Sequence, residues 1–349
     1  MSKPLKTPAE HAAECAAKPA SSTASLHAAA AAQLRRGWLL GVLGVVIFAL
    51  TIPMTRLASG STADPQLPAV FVAIGRAAFA GVLALAWLLL RRAAWPRPAQ
   101  WRQLALTGCG VVVGFPLFMG LAVVRVDAVH AAVVTGLLPL ATAAVAAVLL
   151  RQRPSAAFWA CALAGTALVI GFAAWKGGAG LQLADGLLGV AMLAAAFGYV
   201  HGARLSSGPA GRAMPPEEVI CWVLVMALPL TLPVAWATWP TAPVRAASWI
   251  GFAYVAIFSM WLGFFAWYRG LALGGTLRVS QVQLVQPFLS MWFAVPVLGE
   301  TLDAATVVFS LSVMATVLVS RRLSTGTAAT PSDVHAPVQP VLSTPRSTP

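Results

Sequence analysis

The sequence predicts an all-α integral membrane protein of ten transmembrane helices, arranged as two five-helix repeats that enter the membrane in opposite orientations. Three observations predict it. Of 349 residues, 59% are hydrophobic and only 9% charged, against about 45–50% and about 25% in soluble domains. The apolar residues gather into separate runs long enough to cross hydrocarbon, where only a helix satisfies the backbone of a single span. The chain also aligns with itself, Pro139 on Pro287. A soluble fold could bury a large core but could not hide so many separate long runs, which excludes soluble enzymes.

Charges and Pro/Gly clusters punctuate the runs. The first, 37–58, follows Arg35 and Arg36 and stops before Gly60; the second, 67–90, stops at Arg91 and Arg92. The third, 102–124, and fourth, 127–150, are separated only by Arg125 and Val126, and Arg151 closes the fourth. The fifth, 155–175, lies between Pro154 and Lys176, and the sixth, 186–205, ends at Ser206 to Gly208. The seventh, 219–239, follows Pro215 and Pro216; the eighth, 247–271, follows Arg245. The ninth, 276–298, lies between Gly275 and Gly299, and the tenth, 302–320, ends at Arg321 and Arg322. Because the connections at Arg125 and at Gly299 are so short, a missing break at either would reverse every later span.

Residues 1–36 and 323–349, rich in Ala, Pro, Ser and Thr, read as disordered cytoplasmic tails, and the full-length first run leaves no cleavable signal peptide. The formal charge of +13 comes from arginines clustered between spans, a topology signal and not a nucleic-acid face. With the N-terminus inside, the inner connections carry Arg91, Arg92, Arg97, Arg102, Arg151, Arg153, Arg204, Arg212, Arg269 and Arg278; the outer ones carry Arg56, Arg125, Lys176 and Arg245. That bias puts both termini on the cytoplasmic side of a cell (inner) membrane. Cys15, Cys109, Cys161 and Cys221 form no metal-ligand spacing, so the expectation is no metal and no cofactor, with the cysteines in the runs acting as small buried hydrophobes.

The self-alignment that pairs Pro139 with Pro287 also pairs Arg56-Leu57 with Arg204-Leu205, Trp101 with Trp249 and Leu150 with Leu298. One offset joining features spread over so much chain indicates a repeat, spanning 37–175 and 186–322. An odd number of helices per copy inverts the second, the architecture of secondary transporters that exchange inward-open and outward-open states.

The segments LLPLATAAVAAVLLRQRPS (137–155) and VQPFLSMWFAVPVLGETLD (285–303) resemble the Pro-plus-LGE segments of EamA-type transporters in the drug/metabolite transporter superfamily. The resemblance covers residues 37–322. It implies a ten-helix inverted repeat with a central cavity lined by helices 1–4 and 6–9. One departure stands out: Arg151-Gln152 replaces the Gly-Glu that Gly299-Glu300 keeps.

Arg76 falls near mid-span, where an arginine costs about 2.5–3.5 kcal/mol and must face protein or a watery cavity. It reads either as an anion or carboxylate site or as a structural arginine on backbone carbonyls; its repeat mate is Leu224. Pro139 and Pro287, each freeing a carbonyl mid-span, mark a midplane hinge or a packing kink. Gln283, Gln286 and Ser290 share a helix face, with Gln281 nearby, and line a cavity or bond between helices. Thr135, one turn before Pro139, joins this candidate set. On helix 8, Tyr254, Phe258, Trp261, Phe265 and Tyr268 form an aromatic face; Tyr254 and Trp261 are cavity candidates, although aromatics on the other faces also suit core packing or lipid contact. Gly110-x-x-x-Gly114 reads as close helix packing, Tyr199 and His201 as interface anchors, and Asp127, His130, Glu300 and Asp303 as ordinary span-end charge.

No phosphate-loop, zincin or nucleophile-elbow motif is present, so no enzyme activity is expected. The expectation is a secondary transporter, an exporter of small organic metabolites such as amino acids by alternating access. The alternatives are efflux of amphiphilic cations and a non-transporting membrane scaffold or sensor. Its expected partners are a small-molecule solute and the lipid bilayer, with a homodimer open and nucleic acid excluded.

Overall fold

The computed structural model describes residues 29, 31–149, 151, 155–176, 182–206, 213–274 and 280–325. The tail readings over 1–28 and 326–349, the positions of Leu150, Gln152, Arg153, Ser207, Arg212 and Arg278, and the side chain of Gln281 lie outside them. Among the described residues the chain is all-helical, its one β-bridge joining Gly60 to Pro65. In chain order the helices are α1 (Ala31–Ser59), α2 (Phe71–Arg91), α3 (Pro98–Val123) and α4 (Ala128–Leu149). They continue with α5 (Ala156–Lys176), α6 (Leu183–Ser206), α7 (Pro216–Ala237), α8 (Ala246–Tyr254, Val255–Leu262 and Gly263–Gly274 end to end), α9 (Gln286–Leu298) and α10 (Ala304–Thr325). Seven of these, α1 to α4 and α6 to α8, are long and apolar enough to span a bilayer; α5, α9 and α10 contain shorter apolar stretches.

α1 begins inside the segment read as a tail, because Ala31, Ala32, Gln33 and Leu34 are strong helix formers that carry the helix past Arg35 and Arg36. It ends at Gly60, whose φ of 71° needs no Cβ. Leu90, Val148, Leu163, Trp236 and Trp292 are each 70% or more exposed; such a surface would aggregate in water and is what hydrocarbon requires. Cys221 is buried as expected, but Cys109 is exposed on α3.

The helices pack as α2 on α7, α4 on α9, α5 on α10, α3 on α6 and α1 on α8. At the α3–α6 crossing the backbones nearly touch: a Cβ on Gly110 would lie 2.4 Å from Ala194 O and 2.6 Å from Gly198 N. Glycine is required there by space, in keeping with its packing role. Two irregularities recur at the repeat offset. A π-helical stretch occupies Gly108–Gly114 in α3 and Val255–Leu262 in α8. α4 breaks at Gly136 and Leu137, and α9 is preceded by the 3-10 turn Ser280–Val285. Both sets of irregular backbone lie beside the central cavity, the setting in which a membrane span tolerates them.

Candidate functional site

The central cavity is enclosed by α1, α2, α3, α4, α6, α8, α9 and α10, and Arg76, Thr135, Pro139, Gln283, Gln286 and Pro287 all line it. Arg76 follows directly on a third π-helical stretch, Phe71–Gly75; the residue is 4% exposed and its Nε has no hydrogen-bond partner among the described residues. No carboxylate lines the cavity among the described residues. Its mate Leu224 is fully buried in the core of α2 and α7, so the charge belongs to one half alone.

Polar groups around Arg76 divide into committed and free. The Thr51 and Ser259 hydroxyls bond to each other at 2.8 Å, Ser290 Oγ donates to Ala49 O at 2.7 Å, and Thr135 Oγ1 donates to Ala131 O at 2.8 Å. Gln283 and Gln286, lining the same space, have amides with no hydrogen bond to a described residue. The half-helices Leu138–Leu149 and Gln286–Leu298 both begin at the cavity with a proline in their first turn. Proline fits there because the missing N–H is one of the unsatisfied donors at a helix start. Two helix starts and one guanidinium with no ion pair among the described residues therefore meet a wall formed by Phe48, Phe115, Phe264 and Phe288. This arrangement favours an anionic group carried on an apolar body.

Tyr254 and Trp261 lie outside this lining. The Tyr254 hydroxyl donates to Ile47 O at 3.0 Å and its ring stacks on Phe258, while Trp261 packs edge-on against Phe265. The aromatic face assumed regular α-helical spacing; the π-helical stretch shifts the register and turns Ser259, Met260 and Phe264 to the cavity instead. Tyr199, read as an interface anchor, also lines the cavity. His201 is buried, with Nδ1 donating to Gln103 Oε1 at 2.6 Å across the α3–α6 contact.

The span-end charges are not simply solvated. Glu300, just after α9, accepts from the Ala128 and Val129 backbone N–H groups at 2.8 Å each and so caps the start of α4. Next in the chain, buried His130 donates from Nε2 to Asp185 Oδ1 of α6 at 2.6 Å and packs against Phe172. Arg56 bonds Val123 O and lies 4.0 Å from Asp127. Burial pushes the Glu300 carboxyl above its ordinary value, opposed by the Val129 and Ala128 N–H groups. Its only sequence signal was the Gly299-Glu300 motif; what it would touch had none.

The model of the EamA-like transporter family matches residues 35–174 and again 182–322. The chain is 40% identical over 290 residues to the uncharacterized transporter YdeK of Bacillus subtilis (strain 168), a match covering 82% of this chain and 98% of that protein. A solved crystal structure that is 20% identical has the same fold with a TM-score of 0.56, covering 84% of this chain and 99% of its own.

Proposed function

Because the chain belongs to the EamA-like transporter family, we propose that it is a secondary exporter of small carboxylate-bearing metabolites, amino acids with apolar side chains foremost, working by alternating access. It is a multi-pass membrane transporter and not an enzyme. The observation that carries the substrate class is Arg76: a buried arginine in a cavity with no carboxylate among the described residues is a poor structural device, since its desolvation is uncompensated until an anion enters. The solute's carboxylate meets the guanidinium and the half-helix starts, the Gln283 and Gln286 amides take its remaining polar groups, and the phenylalanines face its apolar part.

Ten spans, in two inverted halves at 37–175 and 186–322 with both termini cytoplasmic, complete the reading. In support, α9's end at Glu300 lies beside α4's start at Ala128, so these repeat-related helices run antiparallel. Helices α3 with α6 and α8 with α1 pair across the halves as a two-fold axis in the membrane plane would pair them. Rocking about the cavity opens it to either side in turn, and the Glu300 and His130–Asp185 contacts act as the outer closure.

The test is counterflow in proteoliposomes with labelled amino acids, other carboxylates and amphiphilic cations. Saturable exchange of a carboxylate, lost in Arg76→Ala and partly kept in Arg76→Lys, is expected. Exchange of cations alone, indifferent to Arg76, would transfer the protein to the amphiphilic-cation class that the aromatic wall also suits.

A further inference from the structure

A second cleft, separate from the central cavity, opens where the ends of α1, α2, α7 and α8 meet, at the arginine-rich end of the bundle. Four charged side chains line it: Arg91, Arg269, Glu217 and Glu218. Arg269 Nη1 and Glu217 Oε1 pair at 3.7 Å. That leaves one cation and one anion over. The Arg91 guanidinium lies over the Trp87 ring, 5.6 Å from its centre, with no carboxylate partner among the described residues. Glu218 is half-buried and has no ion pair among the described residues. Below them Leu40, Trp87 and Phe265 form an apolar floor, the two rings in edge contact at 5.1 Å.

A free guanidinium, a free carboxylate and an apolar floor describe the complement of a zwitterion on a hydrocarbon tail. We infer that this cleft binds an aminophospholipid of the phosphatidylethanolamine type from the cytoplasmic leaflet, its phosphate on Arg91, its ammonium on Glu218 and its chains along Leu40, Trp87 and Phe265. The planar guanidinium matches phosphate oxygens in a two-pronged bond. A primary ammonium offers three N–H donors to the carboxylate. A choline headgroup has no N–H to give, and a glycerol headgroup leaves Glu218 without a cation, so both bind less well. The cleft joins α2 of the first half to α7 and α8 of the second, so a bound lipid bridges elements that must shift against each other in alternating access.

The experiment uses the full-length protein, delipidated in detergent. Native mass spectrometry and the thermal midpoint are followed during titration with short-chain phosphatidylethanolamine, phosphatidylcholine and phosphatidylglycerol, and with glycerophosphoethanolamine and dodecylamine. The expected result is saturable phosphatidylethanolamine binding at least about tenfold tighter than either other lipid, a difference of about 1.4 kcal/mol. Glu218→Gln and Arg91→Gln should each erase that preference while leaving the midpoint in plain detergent unchanged, and Arg76→Ala should retain it. Equal affinity for the three lipids, an intact preference in Glu218→Gln, or dodecylamine binding as tightly as the lipid would each overturn the assignment, the last by making the cleft a site for amphiphilic amines. Loss of the preference in Arg76→Ala would also overturn it, by tying the effect to the central cavity.

Discussion

Arg76 was legible as an arginine that must face protein or a watery cavity, because a charge at mid-span has few tolerable environments, and it does line the central cavity. An unpaired buried charge carries a stability penalty, so Arg76→Met, similar in length and apolar, should leave the thermal midpoint unchanged or raised while abolishing the stabilisation that carboxylate solutes produce. A midpoint that instead fell sharply would mark Arg76 as structural. Glu300 was legible only as part of a motif, since its partners lie in the other half. Its carboxyl pKa is raised above the ordinary 4.5; a group raised in the folded state favours folding at low pH and loses that contribution as pH climbs through the folded value. The thermal midpoint should therefore decline as pH rises from that ordinary 4.5 upward through the raised value, and Glu300→Gln, which does not titrate, should flatten that segment. Glu300→Ala removes the α4 cap and should cost about 0.5–2 kcal/mol at neutral pH, read by denaturant titration.

At the scale of helices, hydrophobic runs and their order were readable because lipid imposes length and polarity on each span. Irregularities within them were not, because π-helical and 3-10 stretches depend on neighbours that compete for backbone positions and leave no periodic mark. This is why Tyr254 and Trp261 appeared to share a face with the cavity and do not. Pro139 and Pro287 did mark the breaks. Pro287 stands in the first turn of α9; Pro287→Ala supplies the N–H that lets α9 extend back through Ser280–Val285. Turnover should fall more than solute affinity does, measured as counterflow rate against binding, and equal losses in both would remove the hinge role. At the α3–α6 crossing, Gly198→Leu meets Thr107 O and the Val111 backbone within about 3 Å. It should lower the thermal midpoint markedly, whereas Gly189→Leu, with open space around it, should not.

For the molecule as a whole, the count of spans decides the topology. Reporter fusions after the last helix and in the α7–α8 connection test it: ten spans put the C-terminus on the same side as the N-terminus and that connection on the opposite side, whereas seven would place the two ends apart. The sequence by itself determined the membrane class, the runs, the repeat, the charge bias and the mid-run position of Arg76, because each follows from composition or spacing along the chain in a solvent that allows few alternatives. Only the tertiary structure decided that Gln283, Gln286, Tyr199 and Ser259 line the same cavity as Arg76, that Glu300 caps a helix 172 residues away, and that His130 finds Asp185. Those pairings depend on how helices rotate and cross, which is set by close contacts such as Gly110 against Gly198 and by local changes of helical register, and no single segment carries that information.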